Sequence, residues 1–372
     1  LKTGISITSD TRTDLACWIA LSLLPDVGPV RARKLLSVFA SPEMVFRAGL
    51  DDLKKVEGIG AVIARKIMDF SSWGDIERQI REMEDRNIKV ICLQESAYPE
   101  MLREAQDAPV VIYTMGDLIP DDKFAIAVVG SRRLTQYGAS VAEKISEELA
   151  SCGFTVVSGM ARGVDSIAHK AALKAGGRTI AVLGSGLDIP YPPENKALME
   201  NIVKSGCAMS EFPPGTPPEK ENFPRRNRLI SALSLGVLVV EATFDSGALI
   251  TARYAAEQGR EVFAVPGNIT SRCSEGTNEL LRRGAILVRK AEDIVEELSP
   301  VLKGFLRTRH NIREGISDEE KRVCNLLSGE PKQIDIISRE SGLASSEALG
   351  ILLGLELKGA VKQITGKRFY LA

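Results

Sequence analysis

The 372 residues are 44% hydrophobic and 26% charged, the composition of a globular chain long enough for two or three domains. Its 48 Lys and Arg are matched by 49 Asp and Glu, so the net field does not gather polyanions and any nucleic-acid site has to be a local patch. The longest apolar stretches, such as Leu235 to Val240 and Ala348 to Leu355, fall far short of the roughly 20 residues that span a bilayer, and no membrane span is expected.

The chain opens Leu1-Lys2-Thr3 without the charged, apolar and small-residue series of an export signal, which predicts a cytoplasmic protein. A short repeat follows. Val27-Gly28-Pro29-Val30-Arg31-Ala32-Arg33-Lys34-Leu35 returns as Ile59-Gly60-Ala61-Val62-Ile63-Ala64-Arg65-Lys66-Ile67. Each copy sets a glycine turn directly before an apolar-periodic helix, the pattern of a helix-hairpin-helix unit. Free N–H groups at such a helix start can hold a phosphate, which makes Gly28, Gly58, Gly60 and Lys66 secondary DNA-contact candidates. Arg33, Lys34, Arg65 and Lys66 fit a solvated helix face equally well. This helical domain is assigned to residues 1–88.

A charged helix, about Asp75 to Arg86, leads into a strand at Val90 to Leu93 and then a loop. From Ala125 short β-rich runs alternate with helices, the signature of a doubly wound, mostly parallel Rossmann-like sheet. Strands are expected at 125–129, 155–158, 179–183, 207–210, 237–241, 261–265 and 285–288, with a last helix at 291–298. Residues 89–299 form this α/β domain. Residues 300–315, with Lys303, Arg307, Arg309 and Arg313, sustain no apolar period and are assigned as a basic linker. Three helices and a hairpin about Gly366 then predict a winged helix over 316–372, with Lys367 and Arg368 as further secondary DNA contacts. Its last helix, Ser345 to Leu357, carries Glu347 and Glu356 and no basic residue, so it lacks the groups that read a groove.

In doubly wound sheets ligands sit outside the C-terminal strand ends. Three such ends carry small-residue loops: Gly130-Ser131-Arg132-Arg133, the run Ser158-Gly159-Met160-Ala161-Arg162-Gly163-Val164-Asp165, and Gly184-Ser185-Gly186. Glycine lets backbone approach a phosphate, and Arg132 supplies a planar fork of donors. Farther on, Lys220 and Phe223 precede Arg225, Arg226, Asn227 and Arg228. Cations beside a π-face suit single-stranded nucleic acid, because bases stack on rings while phosphates track charge. The alternatives are tight βα turns for the glycines, and an internal ion-pair network around a core Phe223.

There is no G-x-x-x-x-G-K-[ST] phosphate loop, and Gly130 does not begin a dinucleotide fingerprint. Six dispersed cysteines and two histidines, His169 and His310, supply no zinc set, so neither a metal nor a cofactor is expected. Asp165 and His169, four apart on one helix face, and Glu241 at a strand end could serve catalysis. A helix cap, a packed histidine and an ion-pair partner are their structural alternatives.

At these residues the chain resembles the DNA-processing protein A family (DprA, also called Smf). The resemblance is carried by Tyr98-Pro99, Asp107, Gly130-Ser131-Arg132 with Tyr137-Gly138, Ser158-Gly159-x-Ala161-x-Gly163-x-Asp165 and Gly186-x-Asp188-x-x-Tyr191-Pro192. It continues in Ser210-Glu211-x-Pro213-x-Gly215, Phe223-Pro224-x-Arg226-Asn227-Arg228, Glu241-Ala242, Ser246-Gly247-Ala248-Leu249-Ile250-Thr251-Ala252 and Pro266-Gly267. It implies a non-catalytic single-stranded-DNA-binding homodimer that protects incoming strands and loads the recombinase RecA in natural transformation. It also implies strand contacts at Arg132, Lys220 and Phe223, with loop glycines such as Gly130 and Gly163.

The fold also resembles nucleoside-monophosphate phosphoribohydrolases, but their Pro-Gly-Gly-x-Gly-Thr run is only echoed in Pro266-Gly267-Asn268. A double-strand or junction binder led by the N-terminal repeat is a third reading. For a dimer contact, Ile230 to Leu238 and the helix from Ala248 are apolar enough to serve.

Overall fold

The computed structural model describes residues 9–302, 317–327, 331–357, 361–364 and 366–371. Most of the predicted basic linker lies outside them. The chain divides into two compact units, Leu1–Ile294 and Val295–Ala372.

The first unit begins with six helices: α1 (Ser9–Leu23), α2 (Pro29–Phe39), α3 (Pro42–Arg47), α4 (Leu50–Lys54), α5 (Ala61–Met68) and α6 (Trp73–Asp85). The two repeat copies become the starts of α2 and α5, with Gly28 and Gly60 as N-caps that have no side-chain cap. Pro29 fits the first turn of α2 because its missing N–H would find no intrahelical partner there.

The sheet that follows has nine strands in the order β1-β2-β6-β5-β4-β3-β7-β8-β9. They are β1 (Lys89–Cys92), β2 (Val111–Gly116), β3 (Ala125–Val129), β4 (Thr155–Ser158), β5 (Thr179–Leu183), β6 (Cys207–Ser210), β7 (Gly236–Val239), β8 (Glu261–Ala264) and β9 (Ile286–Leu287). β1 and β2 pair antiparallel with each other and β2 pairs antiparallel with β6, while the rest of the ladder is parallel. The intervening helices are α7 (Glu100–Glu104), α8 (Gln136–Ser151), α9 (Val164–Lys174), α10 (Lys196–Ser205), α11 (Asn222–Ala232), α12 (Gly247–Glu257) and α13 (Glu275–Arg282), and α14 (Ala291–Leu298) follows β9.

From β3 the chain winds outward through β4, β5 and β6, then returns along α11 to β7 on the other side of β3. The switch point therefore lies at the C-terminal ends of β3 and β7.

Strand β2 corrects the expectation of a loop after the first strand. Its first four residues, Val111 to Thr114, are buried, but it turns back antiparallel and lies outside the strand–helix alternation that marked the others. A second correction concerns the dimer surface. Ile230, Leu233, Val237 and Leu238 are buried in the core and Leu235 is half-buried, so most of this run is internal.

The pleat sorts the core into two faces. Ile180 and Val182 of β5 join a cluster with Leu229 and Ile230 of α11 and Ala252 of α12, while Ala181 and Leu183 face the opposite side. That opposite cluster runs without a break from Ala208 of β6 and Val111 and Tyr113 of β2 into Trp18, Ile19, Leu35, Ile76 and Ile80 of the helical module. The module assigned to 1–88 thus shares a core with the sheet. Arg33 donates to the carbonyls of Arg103 and Ala105, and Arg86 pairs with Asp188 at 3.0 Å.

In the second unit helices at Asp318–Asn325, Ile334–Ser341 and Ser345–Leu357 pack on a small antiparallel sheet of Lys332–Gln333, Arg368–Leu371 and Val361–Ile364. Val323, Ile337, Leu352, Leu355, Val361 and Phe369 form its core. This is the winged helix. Lys367 and Arg368 are exposed at the wing, where Lys367 takes a left-handed φ of 51°.

Candidate nucleic-acid interface

The loops after β5, β4 and β3 lie side by side because their strands are neighbours, and the N-terminal turn of α11 crosses them. Phe223 is the junction. Its ring lies against Gly184, where an added Cβ would come within 3.0 Å of Cδ1, and 5.7 Å from the ring of Tyr191. The guanidinium of Arg132 stands 5.3 Å from the Phe223 centroid, and that of Arg226 stands 5.9 Å away. Phe223 is half-buried, neither a core residue nor a loose one.

The candidate cations divide by where they point. Arg132 and Lys220 are exposed, and among the described residues neither forms an ion pair. Arg162 and Arg225 are also exposed but tied, Arg162 to Glu194 and Arg225 to Glu211 at 2.9 Å. Arg226 and Arg228 point inward, which corrects their assignment as outward-facing DNA contacts.

Arg226 donates to Gly159 O at 2.5 Å and to Val182 O, and Arg228 bonds Glu211 and Asp107 O. The helix register accounts for this, since Arg226 lies one turn before the buried Ile230 on the same face of α11. Asn227 is likewise engaged, accepting from Arg226 Nε at 3.1 Å and donating to Gly247 O at 3.3 Å.

Burial pushes the Arg226 guanidinium down to about 10, with Asp165 opposing that fall, so it stays charged at neutral pH. Burial in turn raises Asp165, against the pull of Arg226 and a 3.2 Å hydrogen bond from Ala161 N. His169 is fully enclosed. Its Nδ1 meets Thr179 Oγ1 at 2.6 Å, and since that hydroxyl donates to Val156 O, the histidine is the donor between them. Desolvation first, then Arg226, lowers it to about 3, so it is neutral at physiological pH.

Glu241 lies just beyond β7. Both its carboxylate oxygens are taken by Thr135, through the backbone N at 2.9 Å and Oγ1 at 2.6 Å. Thr135 caps α8, so Glu241 locks the β3 loop to β7 across the switch point.

The strand-end glycines face protein. An added Cβ would meet Val164 at Gly130, Arg226 at Gly159 and Asp188 at Gly186. Gly163 takes a φ of 82° with its Cα against the carbonyl of Ser131, so it fixes the β4 loop onto the β3 loop that carries Arg132. Ser131 Oγ bonds the carbonyl of Arg133 at 2.6 Å and so shapes the same turn.

The helix-start glycines of the N-terminal repeat differ, with nothing within 4 Å of a Cβ at Gly28 or Gly60. At Gly58 (φ 84°) the added atom would lie 3.6 Å from Arg31 Nε. Lys66 is exposed but paired with Asp26.

Among the described residues no helix is long and apolar enough to cross a membrane, and no cluster of His, Cys, Asp and Glu could hold a metal ion.

Comparison with known proteins agrees with each part of this architecture. The profile of the DNA recombination-mediator protein A family matches residues 89–299, that of a DprA winged helix domain 312–367, and that of a SAM-like helix-hairpin-helix tandem 19–70. Protein Smf of Synechocystis is 33% identical over 96% of this chain and 98% of its own length. DNA processing protein A from Streptococcus pneumoniae superposes with a TM-score of 0.66 at 35% identity, covering 77% of this chain and 98% of that one. The protein of that name from Helicobacter pylori, solved for its single-stranded DNA binding mode, gives 0.51 at 31% identity, over 57% of this chain and 96% of its own. With the fold, the strand-end motifs and both flanking domains in agreement, this chain belongs to the DNA recombination-mediator protein A (DprA/Smf) family.

Proposed function

We propose that the chain binds single-stranded DNA across the C-terminal ends of β5, β4 and β3, with Phe223 stacking a base and Arg132 and Lys220 holding phosphates. One observation carries this reading: an exposed guanidinium, with no carboxylate partner among the described residues, stands over a half-exposed aromatic ring, on a loop locked in place by Gly163 and Glu241. The single-stranded DNA binding mode described for the Helicobacter pylori relative supports it. Protection of incoming strands, loading of RecA and pairing as a homodimer are the finer reading, supported by membership of the family. A non-catalytic role is supported by Asp165, His169 and Glu241, each of which is engaged by neighbouring protein groups.

The test is binding of a labelled single-stranded oligonucleotide measured against salt. Native protein should lose log affinity against log salt by about 0.7 per neutralised phosphate, and Arg132→Ala should lower both affinity and slope. Phe223→Ala should cost about 1–3 kcal/mol. Unchanged binding in both variants overturns the site.

A second reading, duplex contact by the N-terminal repeat, is favoured by the open helix starts at Gly28 and Gly60. Competition between single- and double-stranded DNA of equal length separates the two.

A further inference from the structure

The end of the sheet that carries Arg132 and Phe223 carries a second patch on the far side of the switch point. Tyr137 follows β3, Phe244 follows β7 and Ile269 follows β8; they are 50%, 64% and 89% exposed. Exposed apolar side chains gathered on adjacent loops, rather than scattered singly, mark a binding surface. The backbone beneath these residues is fixed rather than loose. Tyr137 Oη donates to Pro266 O at 2.9 Å, Ala242 N to Cys273 O at 2.8 Å, and Ser131 N to Glu241 O at 2.7 Å. The three loops therefore form one surface, and Tyr137 is five residues beyond Arg132 on the same β3 connection.

Charge favours a polyanion here. Arg133 and Arg272 are exposed, and among the described residues neither is ion-paired within 4 Å. The nearby carboxylate, Asp245, has one oxygen occupied by Thr243 Oγ1 at 2.6 Å and feels the positive field of Arg272. Single rings interleaved with arginines match a strand of stacked bases and spaced phosphates better than they match a protein partner, which would call for a contiguous apolar area.

Building on the proposed strand-end site, we propose that the single-strand track continues past β3, with Phe244 as a second stacking platform and Arg272 as a phosphate contact. From β5 to β8 is four strand spacings, about 19 Å, and the first site covers only the nearer half. A short strand fills the first site alone, while a longer one reaches both.

The test uses the full chain, oligothymidylates of about 4 and about 16 nucleotides, and the variants Phe244→Ala and Arg272→Ala, which change exposed loop residues. Affinity for the longer strand should fall at least about fivefold in Phe244→Ala, and its salt slope should drop by about 0.7 in Arg272→Ala. Binding of the short strand should not change. Equal losses at both lengths, or none at either, overturn the extension. If native protein and Phe244→Ala differ in sedimentation but not in DNA affinity, the patch is a protein interface and the proposal fails. Arg132→Ala, run alongside, should weaken both lengths; if it weakens neither, the first site itself is wrong, and that failure is distinct from a failure confined to Phe244.

Discussion

Glycines at the strand ends and glycines at the helix starts of the N-terminal repeat face opposite surroundings. At Gly130, Gly159 and Gly163 the space a side chain would take is already filled by Val164, Arg226 and the Ser131 carbonyl. At Gly28 and Gly60 that space is solvent. The first set lets protein approach protein, and by doing so fixes the loop that presents Arg132 and Arg133 outward. The second leaves helix N–H groups accessible. Glycine richness alone thus marks close approach without saying what approaches, and in the sheet most of what approaches is the protein itself.

The sharpest way to break this contrast is to unlock the strand-end region from within. Arg226→Ala leaves Asp165 buried without its cation and removes the donor that ties α11 to Gly159 and Val182; a loss of about 3–5 kcal/mol is expected in urea unfolding. A loss under about 1 kcal/mol would show that Arg226 is not an internal strut. Gly163→Ala comes next. A positive φ and a blocked Cβ together should cost about 2 kcal/mol or more, and DNA binding should weaken as Arg132 shifts.

His169 gives a pH signature of the same interior. It is held at about 3 when folded against an ordinary 6.5, so its contribution is complete above pH 6.5 and is lost as pH falls through the window toward 3. Over that window stability should drop by about 1.4 kcal/mol per pH unit from this group, and His169→Leu should flatten the slope. The smallest effect belongs to the other region. Gly60→Ala should change stability by less than about 1 kcal/mol, because its Cβ meets nothing, and should leave single-strand affinity unchanged while altering duplex competition.

Much of the architecture was legible in the sequence because parallel strands, buried on both faces, are short unbroken apolar runs between helices. β3 to β6 fall at the expected bounds, buried throughout and apolar but for Thr155, Ser158, Thr179 and Ser210. β2 escaped it by folding back antiparallel inside a connection. The site was legible in composition but not in direction. Three arginines in four residues look alike in a list, and only the register of α11, with Arg226 one turn before Ile230, separates the inward Arg226 from the exposed Arg225. Glu241 and Asp165 were ambiguous for a related reason: an acid beyond a strand end or in the first turn of a helix can anchor a loop as readily as it can donate a proton, and the sequence does not name its partner. Tyr191, against Phe223, carried no signal beyond the family motif, since the two are far apart in the chain and meet only across the strand ends.

The continuous core between the helical module and β2 has a practical consequence for trimming the protein. Val111 and Tyr113 are almost wholly enclosed, and part of what encloses their side of the sheet is the cluster of Trp18, Ile19, Leu35, Ile76 and Ile80. A fragment beginning at residue 89 would bare that side to water and invite self-association, which would mask any intrinsic tendency of the sheet domain to pair. Oligomeric state is therefore a property to measure on the full chain.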